Sequence, residues 1–455
     1  MNQRKPKYEN LEINKVLKYQ QEEINSIERL DLSETENNIK ETEELLKSLG
    51  VQLPTENTIK NQKDKKEIII PTWDELVDES EKKIKGDVTL TSLFTEEELE
   101  NNRLALAKWE DEFNAIHMLD EKDIAISAIA AIVGASIEIL TIGIPHASPQ
   151  GTQAGPLSNY IREWFNKKFP EEEMQKLANS KVSKVPFDAQ DNRHTREYVE
   201  GLSAYYHRLL SLGHDPVLGF VVGVFDIMNG RMTTIDKNGK ILSQVMDVYS
   251  DRKETNIFAA LSKQIIHFKS DITTSMGLPA PLMGLFNLLQ FGSIGEEEQT
   301  IAQIVQGMYY EGYDFIHFCA MSIPVMITEV IVRILYAVKR IREGYSLKES
   351  IPFSTNHKKH PKLGTMLFIA HSGATAVNLG KILFTKNPLA VNYPQWIAFG
   401  KYTYQQLKWV LVEKPFACYY FIEDKIEEEL KEINEDIDSL MGELSDTFVF
   451  VEQID

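Results

Sequence analysis

The stretch KDIAISAIAAIVGASIEILTIGIP, Lys122 to Pro145, is apolar almost without a break. Small residues recur in it: Ala125, Ser127, Ala128, Ala130, Ala131, Gly134, Ala135 and Ser136. A helix that is apolar all round has no face to give to water, so protein or lipid must enclose it. Small side chains let neighbouring helix backbones come close. Glu138 interrupts the run, and two later stretches repeat the conflict. Phe315 to Val338 is long enough to span a bilayer but holds His317, Pro324, Glu329 and Arg333. Met366 to Phe384 contains His371, Asn378 and Lys381, and Pro216 to Met228 is too short to span. Polar groups inside a membrane are costly and mark function. A buried helical core needs no such explanation. A cytoplasmic or peripheral helical body is therefore expected, with an integral inner-membrane protein as the alternative.

The flanks differ in charge. The chain of 455 residues carries a net −19. Residues 1–120 hold 17 Lys+Arg against 28 Asp+Glu, and residues 421–455 hold 2 against 13. The middle holds 30 against 27 and is near neutral. Acidic ends repel a phosphate backbone, and no basic stripe with interleaved aromatics appears, so nucleic acid is not the expected partner. The two cysteines, Cys319 and Cys418, have no CxxC spacing, which argues against a disulfide framework or a cysteine zinc site. The N-terminus, MNQRKPKYENLEINK, lacks the apolar core of a secretory signal, so the chain is expected not to be secreted.

The expected fold is mainly α: a large Gly/Ala-rich helical body with amphipathic helices at both ends. Leu11, Ile13, Val16, Leu17, Ile24 and Ile27 fall mostly at helical steps, and Asp31 restarts a helix through Leu46. Residues 1–50 read as an amphipathic hairpin or coiled-coil arm, 51–71 as a linker, 72–420 as the central body and 421–455 as an acidic C-terminal helix. Thr95 with Glu98 has a capping-box pattern. RMTTIDKNGKILS, about residues 231–243, predicts one inserted β-hairpin with a type I′ turn at Asn238-Gly239. The Gly/Pro-rich run Thr141 to Tyr160 reads as a long connection or a ligand-contacting loop.

No GxxxxGK[ST], GxGxxG, HExxH or GxSxG motif is present, which removes the commonest nucleotide, zincin and serine chemistries. Histidines paired with acids remain. In YYHRLLSLGHDPVLGF, residues 197–212 predict a helix, Gly213 its left-handed end, and Asp215-Pro216 the start of the next. That reading occupies Asp215 with backbone N–H groups and leaves His207 and His214 unexplained. His267 and Asp271 stand at i and i+4, on one helical face, a good spacing for two ligands of one divalent ion. His371 lies alone in an apolar helix, where a satisfied core histidine is the commoner outcome, although it or Asp215 could complete a shell. PFDAQDNRHTREY adds Asp188, Asp191, His194 and Arg196 in a loop, as further ligands or as a solvated loop.

His207-Arg208 and His214, then His267, Asp271, Thr274, Gly277 and Pro279, resemble the HR…H and H-x-x-S/L-D-x-x-T-x-x-G-x-P pieces of the LexA-regulated, membrane-bound metal-dependent hydrolase family. The interval between the two histidines is longer here than in that family's HRGxTHS-like run. The resemblance implies a divalent metal held by His207, His214, His267 and Asp271. Two functions are thus expected. The first is a non-enzymatic, membrane-associated or assembly protein whose acidic terminal helices meet a membrane, a protein partner or a second copy. The second is a metal-dependent hydrolase acting on a phosphoryl or acyl group.

Overall fold

The computed structural model describes residues 10–28, 33–51, 66–148, 151–274, 276–294, 298–445 and 448–452. Most of the expected linker, residues 52–65, lies outside them. The described fold is mainly α. In chain order it runs α1 (Leu11–Glu28), α2 (Ser33–Ser48), β1 (Lys66–Ile70), α3 (Trp73–Lys83), α4 (Glu96–His117), α5 (Glu121–Thr141), β2 (His146–Ser148), β3 (Gly151–Gln153), α6 (Pro156–Lys168), α7 (Glu171–Ala178) and α8 (His207–Leu210). Then come α9 (Val222–Asn229), β4 (Arg231–Ile235), β5 (Ile241–Val245), α10 (Ile257–Asp271), α11 (Ile301–Tyr310), α12 (Phe315–Arg342), α13 (Leu347–Ser350), α14 (Leu363–Thr385), α15 (Tyr393–Lys408), α16 (Lys414–Ser445) and β6 (Phe448–Glu452). Two compact units result: Met1–Ala115 with Lys414–Asp455, and Ile116–Glu413.

In the first unit α1 turns to α3 rather than to α2. Tyr19 clusters with Ile84 and Val88, Asn14 Nδ2 donates to the Val88 carbonyl (3.0 Å), and the Tyr19 hydroxyl donates to Glu79 (2.6 Å). Leu11, Ile13, Leu17, Ile24 and Ile27 stay exposed, because the periodic stripe mixes residues of two faces. The expected hairpin of residues 1–50 is therefore not closed by that stripe. The Thr95–Glu98 capping box forms: Glu98 accepts from the Thr95 N–H (2.7 Å), and Thr95 Oγ1 accepts from the Glu98 N–H (3.2 Å). The acidic C-terminal helix ends earlier than expected, and β6 pairs in parallel with β1, Lys66 opposite Phe448 through Ile70 opposite Glu452.

In the second unit α5 packs between α12 and α14. A Cβ on Gly134 would overlap the Thr328 side chain and lie 3.2 Å from the Pro324 carbonyl; one on Gly373 would sit 3.0 Å from the Ala131 Cβ. The small residues of the opening stretch thus serve close helix approach. Ala130, Val332, Tyr336, Leu363, Met366, Leu367, Ala370 and Tyr402 form the core there. Polar residues of these helices pair inside. Glu138 accepts from Asn378 (2.9 Å) and Lys381 (2.9 Å), Asp123 from Lys339 (2.6 Å), and Glu329 from Arg333 (2.7 Å). Ile132, Ile139, Leu140, Met326, Ile334, Leu383 and Phe384 point outward and are exposed. By length and composition, three helical stretches could cross a membrane: Glu96–Thr141, Phe315–Arg342 and Leu363–Thr385.

The inserted hairpin is β4–β5, Arg231 opposite Val245 through Ile235 opposite Ile241. Its turn differs from the type I′ expectation. Asp236 still pairs with Lys240 (N···O 3.0 Å), and Asp236 Oδ1 accepts from the Asn238 and Lys240 N–H groups, with only Gly239 left-handed at φ +82°. That is a three-residue loop, set by the aspartate rather than by Asn-Gly. The Gly/Pro-rich run after α5 holds a second short hairpin, β2–β3.

Candidate metal centre

The helix expected over 197–212 shrinks to α8, because tertiary partners take the preceding backbone. Gln244 Oε1 accepts from the Arg196 and Glu197 N–H groups (2.7 and 2.8 Å), the Lys237 N–H donates to the Glu200 carbonyl (3.1 Å), and Gly201 is left-handed at φ +79°. Gly213 is not left-handed. It is buried in the turn Leu212–His214, and a Cβ there would meet the Phe187 ring at 2.7 Å. This glycine makes room for Phe187, which lies edge-on to His214 (centroids 5.1 Å) and His267 (5.5 Å). Asp215 caps as expected, accepting from the Val217 and Leu218 N–H groups (2.9 Å each).

His207 comes from α8, His214 from the turn after it, and His267 and Asp271 from successive turns of α10. The loop residue Asp188 closes the group. It is held by Phe187 and Ala189, both wholly buried in the core formed with Val199, Leu210, Met232 and Ala260. Asp188 Oδ1 lies 3.5 Å from both His207 Nε2 and His214 Nε2. Asp271 Oδ2 lies 3.5 Å from His267 Nε2 and 3.9 Å from His214 Nε2. His214 thus faces both carboxylates. Within each triad, Asp188–His207–His214 and His214–His267–Asp271, the candidate ligand atoms lie within 4.8 Å of one another.

The three histidines and Asp271 are buried, while the Asp188 side chain is 26% exposed, so the cluster meets solvent on the Asp188 side. His207 Nε2, both nitrogens of His214, His267 Nε2 and Asp271 Oδ2 are buried without a hydrogen-bond partner. His207 Nδ1 is 2.9 Å from the Ala204 carbonyl, which takes a ring proton there and turns Nε2 toward the cluster. Arg208 fixes Asp271 from behind. Its Nε is 3.1 Å from Asp271 Oδ2, and its Nη1 donates to Thr274 Oγ1 (2.7 Å) and the Gly277 carbonyl (3.4 Å). Burial lowers the His214 pKa to about 4, so the imidazole is neutral. Burial would raise the Asp188 carboxyl, but the imidazoles of His207, His214 and His267 facing it hold it well below the usual range. Burial raises the Asp215 carboxyl against the backbone N–H groups it accepts from.

His371 is not part of this group. On α14 it stacks on Tyr402 (4.8 Å, 8°), with Gln395 Nε2 3.3 Å from its Nδ1. It is buried in the core there and belongs to neither triad. His194 sits at the surface beside Asp191 (3.6 Å). Comparison with protein-family models, curated proteins and solved structures gives no match.

Proposed function

We propose that the chain is a membrane-associated, metal-dependent hydrolase-like protein in which Asp188, His207, His214, His267 and Asp271 supply the ligands of a divalent cation. One observation carries this reading: two triads sharing His214 bring three imidazoles and two carboxylates together, with four imidazole nitrogens buried without a hydrogen-bond partner. An unmet buried polar group costs about 1–3 kcal/mol, so a fold does not gather several in one place without a partner for them. Neutral imidazole nitrogens and carboxylate oxygens suit zinc and similar divalent ions.

When bound, such an ion polarises a phosphoryl or acyl oxygen and acidifies a water. The chain's own residues prepare the place. The Ala204 carbonyl orients His207, Arg208 orients Asp271, and Phe187 holds His214 and His267 edge-on. Asp188 alone reaches toward solvent, where a substrate would arrive. The resemblance to the LexA-regulated membrane-bound hydrolases supports the same residues, since Arg208 ties Asp271 to Thr274 and Gly277, all letters of that pattern. The outward apolar faces of α5, α12 and α14, with their charges paired inside, support membrane association.

Elemental analysis of the purified chain tests the metal. The expected result is about one equivalent of zinc or a similar ion, lost in the His207→Ala/His267→Ala double variant. Metal-free protein after purification without chelators, and no uptake on adding zinc, would sink the proposal.

A further inference from the structure

We propose that the polar cavity on the segment joining α12 to α14 binds the phosphate of an anionic lipid headgroup. The site is separate from the metal centre and rests only on the membrane association argued above. The cavity measures about 670 Å³ and is lined by Arg340, Lys348, Glu349, Lys358, Lys359 and His360, among others. Its charge is strongly unbalanced, in a chain whose net charge is −19. The one acidic residue, Glu349, is already engaged: it accepts from the Ser346 N–H (3.2 Å) and hydroxyl (2.6 Å) in the capping box that opens α13. Lys348, Lys358 and Lys359 form no ion pair among the described residues.

Two donors are built in rather than merely exposed. His360 is 5% exposed, lines the cavity, and its buried Nδ1 has no hydrogen-bond partner. Arg340 lays its guanidinium 3.8 Å over the Tyr345 ring, with Nε buried and unpartnered. A planar guanidinium held by stacking is pre-organised for a phosphate oxygen. A tetrahedral anion would meet both donors and the three lysines together.

The surroundings identify the source of the phosphate. The cavity lies on the connection between two of the helices apolar enough to cross a bilayer. Leu347 (65% exposed) and Phe353 (91% exposed) stand beside it with nothing to cover them. A free phosphate has no use for these side chains, whereas a lipid brings apolar matter to the same rim. Basic residues between membrane helices, flanked by interfacial aromatics, are the usual setting for anionic headgroups.

Native mass spectrometry of the full chain, purified in detergent, tests this. Phosphatidylglycerol and phosphatidylcholine of identical acyl chains are the probes, with glycerol phosphate as competitor. Membrane fractionation comes first: a chain found in the soluble fraction fails the membrane reading itself. For a chain that stays with membranes, retention of phosphatidylglycerol but not phosphatidylcholine is expected. Each basic residue near an anionic lipid is worth about five-fold in binding, so Lys348→Gln/Lys358→Gln/Lys359→Gln should weaken retention about hundred-fold. All three lysines are exposed, so this variant should melt with the parent. Equal retention of both lipids, or undiminished retention by the triple variant, overturns the site. Displacement of the lipid by glycerol phosphate at equal concentration overturns the lipid source and leaves a soluble phosphate ester instead.

Discussion

Replacing His214 with alanine separates a metal ligand from a packing residue. In the metal-free fold both ring nitrogens are buried without a partner. Removing the ring relieves two unmet groups, each costing about 1–3 kcal/mol. It also leaves a cavity, and aromatic-to-alanine changes in a core cost roughly 3–5 kcal/mol. The two contributions nearly cancel, so metal-free His214→Ala should differ from the parent by only about 1 kcal/mol, about 1–2 °C in Tm. With zinc at a hundred times its Kd, the parent should gain about 2.7 kcal/mol, or about 3–4 °C. The variant lacks the one nitrogen that faces both carboxylates, at 3.5 and 3.9 Å, and should gain almost nothing. Thermal melts followed by tryptophan fluorescence, in EDTA and in zinc, read both effects. An equal zinc shift in parent and variant refutes the ligand role. So does a loss of several kcal/mol in EDTA alone, which would mark His214 as ordinary core.

Three further outcomes follow from the packing and the charges. Gly213→Ala would place a Cβ 2.7 Å from the Phe187 ring, so it should cost about 1–3 kcal/mol and weaken zinc binding about ten-fold by tilting the rings of His214 and His267; calorimetric titration showing unchanged affinity would contradict this. Asp226 accepts from the Thr233 N–H and hydroxyl (2.8 Å each), but burial pushes its carboxyl up to about 6 from an ordinary 3.8. The fold then holds this proton more tightly than the unfolded chain does, so the Asp226 contribution to stability is fully present below pH 3.8 and is lost as pH rises through about 6, by about 3 kcal/mol. Asp226→Asn should flatten that part of the stability–pH curve in denaturant melts. Gly134→Val should lower stability by about 1–3 kcal/mol or more, since its side chain overlaps Thr328 between α5 and α12; an unchanged Tm would argue against the close approach.

The mainly α class was legible because long apolar runs with small residues have few ways to be enclosed. Gly134 against Thr328 and Gly373 against Ala131 are that argument in atoms. What periodicity could not supply was the partner of each face. In α1 it put Leu11, Ile13 and Leu17 with Val16, whereas α3 covers only the side bearing Asn14, Val16 and Tyr19. The charges inside apolar stretches misled for a related reason. Glu138 reads as an obstacle to a membrane span until Lys381 and Asn378, some 240 residues away, are seen to meet it. One sequence shows the cost of a buried charge but not its compensation.

At the candidate metal centre the local pair was readable and the distant one was not. His267 and Asp271 share a face by helical geometry alone. His207 and His214 stood out as residues that a helix over 197–212 ending at Gly213 left unexplained, and they converge because the helix stops at Leu210 and the chain folds back through the turn Leu212–His214. Asp188 had only a loop position to recommend it. Its placement depends on Phe187 and Ala189 anchoring that loop in the core, and on Gly213 yielding the space that Phe187 fills. The glycine that looked like a helix terminator is thus part of the centre's construction. It lets one aromatic ring both set the Asp188 loop and wall in two histidines, which is why a substitution at 213, touching no ligand atom, should reach the metal.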